Sequence, residues 1–403
     1  MNTSNTSETL AYGGAADEAT LNEVARLIHH AFASPQEKAL EWFKTAGLEH
    51  IRALRVGQQL PSACLLRIPM GQYFGGRSVP MMGIAGVACA PEQRGKGLAR
   101  RLMAEEVRAC AREGVALSCL YASTQSLYRQ VGYEQAGHRF RSRLSVQTIG
   151  LVDRATPVRP LTDDDMPAVK ACYTGFAGRF DGNLDRGNYC WLRIRKSREE
   201  VYHGFGIDDA GGGLAGYIFL NQERNPTYGR HNIAVSDAAF LTPAAGRRIL
   251  GLLSDYATMA EEVVLHGGPL HPLLSLLPQQ RFKVEKLDYW MLRLIRVGDA
   301  LAARGYPAGL SGEVSFEVED DIIPENTGTW ALRIEAGRGS ATKVAQARGP
   351  VIRAHVRALA AIYAGLYTPP QAQLLGWVDG DPDALARAGA FFAGGTPWMT
   401  DMF

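Results

Sequence analysis

Cysteine is scarce and unpaired in its spacing. Cys64, Cys89, Cys110, Cys119, Cys172 and Cys190 form no C-x-x-C pair and sit mostly inside apolar runs, the pattern of reduced, buried thiols. A disulfide framework is excluded. Neither sign of charge dominates either: 43 Lys and Arg against 41 Asp and Glu leave a formal charge of +2, too little for the long-range field of non-specific nucleic-acid binding. Long hydrophobic runs are missing, since residues 81–90 make one of the longest at ten residues, well short of the roughly 18 that a membrane-spanning helix needs. No membrane or nucleic-acid partner is expected. The start, Met1 to Glu8, has no basic residue and no apolar core, so it reads as a flexible tail and not as a signal peptide. The expected location is the cytoplasm. The nine histidines are scattered, and the pairs His29/His30 and His266/His271 lack a Cys or carboxylate partner at ligand spacing, so no metal is expected. What remains is ordinary globular composition over 403 residues, enough for two to three domains at roughly 150 residues each.

The first segment opens with Leu21, Val24, Ala25, Ile28, Ala31 and Phe32 on one helical face, and a second helix is expected over 35–46, with Pro35 at its start and Gly47 after it. The period then shortens. Runs at 51–56, 63–68 and 79–90, separated by glycine- or proline-bearing turns that include 71–76, predict an antiparallel meander. The third run enters Pro91-Glu92-Gln93-Arg94-Gly95-Lys96-Gly97, followed by a helix over 98–113 and a strand over 115–121. A second segment begins near Pro157 with a short strand into an N-capped helix, then strands at 213–220 and 232–241, a helix over 243–259 and a strand at 263–266. Its junction, Leu241-Thr242-Pro243, is an ordinary helix cap without a glycine loop. The third segment, from Val297, reads as a small α+β unit with a helix ending at Gly305, strands at 312–319 and 329–335 and a helix over 350–364. The chain finishes with Trp398, Met399, Met402 and Phe403, too apolar for a solvated tail, so a docked terminus is expected.

Two glycines at a strand-to-helix junction turn successive backbone N–H groups toward an anion, and the helix N-terminus adds partial positive charge. Arg94, Lys96, Arg100 and Arg101 would reinforce it. The stretch is not a Walker loop, because Ala90 and Gly97 stand where that motif needs Gly and Ser or Thr. Nor is it a dinucleotide fingerprint, because Arg100 replaces the third glycine. Spacing alone leaves two readings open: a phosphate cradle, or a plain glycine turn beside a solvated basic face.

Arg94-x-x-Gly97-x-Ala99 after a strand, with two helices and three strands before it, resembles the pyrophosphate loop of the GNAT superfamily of acyl-CoA-dependent N-acyltransferases. A second motif of that superfamily is matched by the stretch from Ser123 to Tyr133. The resemblance implies that Val87 and Cys89 bind the pantetheine arm through the backbone, that Arg94, Gly95, Lys96, Gly97, Leu98, Ala99 and Ser123 hold the rest of acetyl-CoA, and that Tyr128 is the general acid. Over its whole length the chain is similar to the enhanced intracellular survival (Eis) acetyltransferases. The middle segment carries Asp181-Gly182-Asn183-Leu184-x-Arg186 and Trp191, and the last carries Asp320-x-x-x-Pro324-x-Asn326-x-Gly328. The implied architecture is α/β (α+β): a GNAT domain at 1–150, a degenerate second copy at 151–296 and a sterol-carrier-like domain at 297–403, assembled as a homohexamer. It also implies that the α-carboxylate of Phe403 is the general base. Where some aminoglycoside-modifying members carry an acid, this chain has Phe32-Ala33-Ser34-Pro35, which leaves the acceptor amine open.

The expected reaction is direct acetyl transfer from acetyl-CoA to an amine of a small molecule or peptide, in a pocket walled by Phe32, Trp42, Tyr73, Phe74 and Asp401, aromatic faces being suited to cations. The rival is a module whose terminal domain binds a lipid or other hydrophobic ligand without acyl transfer. The loop from Arg94 to Ala99 together with Tyr128 separates the two, since a carrier needs neither.

Overall fold

The computed structural model describes residues 9–15, 17–57, 59–150, 154–197, 199–224 and 229–403; the tail at 1–8 lies outside them. The first helix, Glu18–Phe32, starts where the Asp17 carboxylate accepts from the Thr20 amide at 2.8 Å and buries Val24, Leu27 and Ile28. The second, Gln36–Ala46, stops at Gly47, whose φ of 102° suits glycine. Strands Ile51–Val56, Ala63–Phe74 and Arg77–Cys89 pair antiparallel in sequence order, the predicted meander. Its turn is tighter than predicted: residues 71–74 continue the strand, and Gly75 and Gly76 alone reverse it, both at positive φ. Helix Leu98–Arg112 carries the chain across to Leu117–Tyr121, which lies parallel to Arg77–Cys89. A strand at Leu10–Gly14, not foreseen, closes the outer edge against Ile51–Val56.

Two long strands join the first and middle segments into one sheet, of 13 strands among the described residues. Phe282–Leu294 inserts between Leu117–Tyr121 and Glu134–Ser145, and Glu134–Ser145 pairs on its other side with Ala260–Gly267. The sheet then continues through His231–Phe240, Leu214–Arg224 and His203–Asp208. The strand-helix-strand order of the first segment recurs, because helix Pro243–Ser254 links His231–Phe240 to its parallel neighbour Ala260–Gly267. No helix among the described residues is long and apolar enough to cross a membrane.

The terminal segment is a five-stranded sheet with helices. One expectation fails here: 351–355 form a strand parallel to Gly312–Glu319, and the helix is confined to Val356–Ala364. The strand pairing overrides a local helical pattern. Val356–Ala364 is apolar nearly all round and packs on Glu134–Ser145 and Phe282–Leu294, so it is a core helix shared with the large sheet. The Asp320-to-Asn326 motif is the dock. Arg293 donates to Asp320 at 2.8 Å with both side chains fully buried, Asn326 donates to the same carboxylate at 2.8 Å, and Arg357 pairs with buried Glu134 at 3.0 Å.

The chain end is docked, as its composition predicts. His138 N–H donates to the Pro397 carbonyl at 3.1 Å, Trp398 N–H to the Asp181 carbonyl at 3.0 Å, and Met399 N–H to the His138 carbonyl at 3.3 Å. Trp398, Met399 and Phe403 are buried, but Met402 is 45% exposed and takes no part in the anchoring. Trp398 packs on His271, ring centroids 5.3 Å apart. Burial pushes the His271 imidazole down to about 4. The ordinary value is near 6.5, so between pH 6.5 and 4 the unfolded chain takes up a proton that the folded one refuses, and stability falls with pH through that window by up to about 3 kcal/mol. His271→Asn keeps an acceptor for the Leu273 N–H, which lies 3.1 Å from Nδ1. That variant should lose less melting temperature than the parent between pH 7 and pH 5; equal losses would remove His271 from the acid response.

Candidate active site

Strand Arg77–Cys89 contains two glycines, Gly83 and Gly86, in an otherwise apolar run. Its parallel pairing with Leu117–Tyr121 covers Met81 to Ile84 against Leu117 to Leu120 and then ends. On the other side the ladder shifts by one residue between Cys64 and Leu66, which places Gly86 and Val87 opposite the single residue Leu65. Gly86 takes φ +58° in this bulge, and a bulge bends its strand and strengthens the local twist. From Ala85 to Cys89 the edge facing Leu117–Tyr121 is therefore unpaired, a row of backbone donors and acceptors suited to an amide-bearing ligand. Val87 and Cys89, both half-buried, lie on it. Burial raises the Cys89 thiol, so Cys89 offers its backbone and not a thiolate.

The strand runs into a short 3₁₀ turn, Pro91–Gln93, and then the loop from Arg94 to Gly97. Gly95 and Gly97 have φ +80° and +74°, with open space where a Cβ would stand. Gly97 N-caps helix Leu98–Arg112 with no side-chain hydrogen bond, so the first amides of a 15-residue helix are uncapped. Arg94, Lys96 and Arg100 are exposed around them, Ala99 is half-buried, and Leu98 buries its side chain in the core. The middle segment differs at the matching junction, where Thr242 Oγ1 accepts from the Ala245 amide at 3.2 Å. That helix end is already occupied.

Tyr128 sits on the short helix Gln125–Arg129, buried with Met82, Ile84, Leu98 and Tyr133. Burial pushes its phenol up to about 12, so it carries its proton throughout the neutral range. Ser123 is exposed at the bend before it. Phe403 lies on the opposite face of the sheet. Its ring is the near neighbour of Gly83, 2.9 Å from where a Cβ would stand, and meets the Tyr121 ring edge-on at 5.7 Å. Gly83 pairs with Cys119 in the parallel ladder, one rung before its last. The chain thus ends where the two strands part.

The predicted pocket residues divide. Trp42 covers the bulge, its ring 2.8 Å from a Cβ position on Gly86, and its Nε1 donates to Tyr189 Oη at 2.7 Å. Phe32 is exposed at the end of the first helix. Two assignments are corrected. Tyr73 and Phe74 lie level with Ser78 and Arg77 at the other end of the hairpin, roughly 26–30 Å from the bulge at 3.3 Å per residue. There Tyr73 packs into the middle segment, and Phe74 is sealed against Tyr363 and Arg304; both rings fill domain junctions, where large apolar surface is most needed. Asp401 is also corrected as a substrate-facing acid, because its carboxylate is buried and paired with Arg186 at 2.9 Å. A cavity of about 480 Å³ lies beside Gly75, Asp181, Tyr306 and Trp398, at that same far end.

Gly83, Gly86, Tyr121 and Tyr189 are the residues around the strand divergence that sequence reasoning missed. The two glycines had a signal, since a lone glycine inside a strand marks a bulge or a close approach; the tyrosines had none.

Residues 15–136 and 182–294 each match the acetyltransferase (GNAT) domain family, and 297–400 match the sterol carrier protein domain. A GCN5-related N-acetyltransferase from Anabaena variabilis superposes with a TM-score of 0.92 at 30% identity, over 98% of this chain and 100% of that one. An uncharacterized N-acetyltransferase of Streptomyces avermitilis is 27% identical over 351 residues, 82% of this chain and 83% of its own. N-acetyltransferase Eis of Mycobacterium tuberculosis is 28% identical over 287 residues, 66% of each chain. A parted parallel pair leading through a glycine turn into a helix, with a second strand-helix-strand unit that lacks the glycines, defines a GNAT acetyltransferase. The chain belongs to the GNAT superfamily, and its two GNAT domains followed by a sterol-carrier domain, with the likeness to N-acetyltransferase Eis, make it a GNAT acetyltransferase of Eis type.

Gly86→Ala tests the strand divergence. An L-residue at φ +58° is strained by about 1–2 kcal/mol, and its Cβ would press on Trp42. Acetyl-CoA affinity should fall at least tenfold with the fold retained; unchanged affinity would show that the bulge is not needed for the donor.

Proposed function

We propose that this N-acetyltransferase transfers acetyl directly from acetyl-CoA to a primary amine, with Tyr128 as general acid and the α-carboxylate of Phe403 as general base. The observation that carries the reading is the placement of the chain terminus and Tyr128 on opposite faces of the sheet at the point where Arg77–Cys89 and Leu117–Tyr121 diverge. Bound acetyl-CoA supplies the thioester carbonyl as electrophile. The residues suited to hold it are Val87 and Cys89 through the backbone, Arg94 to Ala99 at the phosphates, and Ser123 at the mouth. A freed backbone N–H of the parted strand can polarise the carbonyl, as preorganised donors do in acyl transfer. An α-carboxylate, ordinarily near pKa 3.5, is an anion at neutral pH and can accept a proton from an incoming ammonium directly or through water.

Tyr128 would act at the sulfur. Against a thiol ordinarily near 8.5, a phenol at about 12 holds its proton, so it first donates a hydrogen bond as charge develops on sulfur. The acceptors that suit the site are amines of aminoglycoside, polyamine, peptide or lysine type, with Ser34 adding no negative charge for a polycation. A carrier role for the terminal domain is disfavoured by its interior, which its own Phe316, Leu359, Tyr363, Phe391 and Phe392 occupy. The chain works in this reading as units 1–150, 151–296 and 297–403, in a homohexamer. Its six free cysteines, five of them buried, suit the reducing cytoplasm.

Acetyl-CoA should titrate one site per chain, and Arg94→Ala with Gly97→Val should weaken it while Thr242→Ala does not. The reverse pattern would move the site to the middle domain. Thiol release from acetyl-CoA over a panel of amines tests the activity, and Tyr128→Phe should lower kcat by about 10²- to 10⁴-fold with donor affinity kept. Because the phenol titrates far above neutrality, the pH–rate profile of Tyr128→Phe between pH 6 and 9 should keep the parent's shape. A limb that disappears with the hydroxyl would contradict the raised pKa, and unchanged kcat would remove Tyr128 from the chemistry.

A further inference from the structure

The last six residues are held at more points than burial of an apolar end requires. Asn183 Nδ2 donates to the Trp398 carbonyl at 3.2 Å, Arg139 Nε to the Thr400 carbonyl at 2.7 Å, and Tyr121 Oη to the Asp401 carbonyl at 2.7 Å. The strongest hold is ionic. Arg186 Nε donates to both oxygens of Asp401, at 2.9 and 3.1 Å, while Nη1 and Nη2 bond Asp237 bidentately at 2.7 and 2.8 Å.

The guanidinium itself has no freedom to move. Its Cζ lies 3.7 Å from the Tyr173 ring centroid and 5.0 Å from that of Trp191, its side chain is 0% exposed, and Tyr217 Oη donates to Asp237 at 2.5 Å. A planar fork in a buried, doubly bonded setting sets direction as well as distance. Asp237 also limits what Arg186 can do. With Nε on Asp401 and both Nη atoms on Asp237, its single positive charge already faces two carboxylates and is offset before the α-carboxylate two residues on. A free guanidinium there would pair with that carboxylate and lower its basicity.

We propose that Arg186, acting through Asp401, is a positioning residue that fixes the Phe403 α-carboxylate at the strand divergence without neutralising it. The middle domain, which lacks a glycine cradle, thereby contributes to catalysis by aiming a group that belongs to the terminal domain. This rests on the reading of that carboxylate as the base, and misplacement of a reacting group by about 1 Å is enough to cost roughly 10²-fold in rate.

Asp401→Asn is the informative change, since it removes one carboxylate from the cluster and leaves the Arg186–Asp237 pair. It is measured alone, in a chain extended by two glycines after Phe403, and beside the extended parent, with acetyl-CoA affinity and melting temperature as controls. The expected result is a fall in kcat of about 10- to 100-fold with acetyl-CoA affinity unchanged, and no further fall in the extended chain, whose carboxylate is already displaced. Tyr121→Phe, which deletes one tail hydrogen bond and keeps the ring, should lower kcat in the same coupled way and serves if Asp401→Asn does not fold. An inactive extended chain beside fully active Asp401→Asn and Tyr121→Phe would overturn the positioning role and leave the base in place. Equal losses in both backgrounds would make the contact merely structural. Full activity of the extended parent would overturn the base reading, and the positioning role with it.

Discussion

The parting of two parallel strands after Ile84 and Leu120 is the constraint on which the remainder of the site depends. Backbone groups that leave a ladder need other partners, and a stretch from Ala85 to Cys89 without a neighbour on one side is stable only if something maintains the gap. Gly86 does so from within the strand, through a bulge at positive φ that Trp42 covers. Phe403 and Tyr121 do so from below, wedged at the last rungs of the pairing. The opening is therefore a built feature of the sheet. The glycine loop and the uncapped helix lie directly downstream because the same strand delivers them.

The terminal domain is bound to this arrangement by buried charge. Arg293–Asp320 and Arg357–Glu134 join it to strands of the large sheet, and Arg186–Asp401 joins its last residues to the middle domain. Such pairs add little net stability, but removing one partner leaves a buried charge uncompensated at about 3–5 kcal/mol. They fix relative placement where apolar packing alone would tolerate sliding. Gly132 illustrates the tightness: a Cβ there would stand 1.6 Å from Arg293 Nη1, so the turn after Tyr128 rests on the same guanidinium that grips the terminal domain. The Tyr128 phenol and the chain terminus are thus both referred to one framework.

The middle domain shows how a repeated fold changes its work. Its strand-helix-strand unit survives, but Thr242 and Pro243 occupy the helix start that Gly97 leaves open. The Thr242 side chain takes up one of that helix's free amides and Pro243 has none to offer, so fewer donors remain there for an anion. What this copy supplies instead is Tyr189 and the strand Phe282–Leu294, directed at the first domain, and Arg186, which grips the last residues of the terminal one.

Local chemistry was legible in the sequence. The helices of the opening segment, the meander, the glycine turn from Arg94 to Gly97, the missing loop at Thr242 and the docked apolar end all follow from periodicity, glycine placement and capping residues, which act over a few residues. The placement of Tyr73 and Phe74, the strand at Val351–His355 and the exposure of Met402 were decided elsewhere, because each depends on what a distant segment presses against it. So were the two long strands that knit the domains, and the pairing of Arg186 with Asp237 and Asp401, 51 and 215 residues away. A residue's type is a local fact, whereas the partner that turns an arginine into a clamp or a glycine into a gap is brought by the fold.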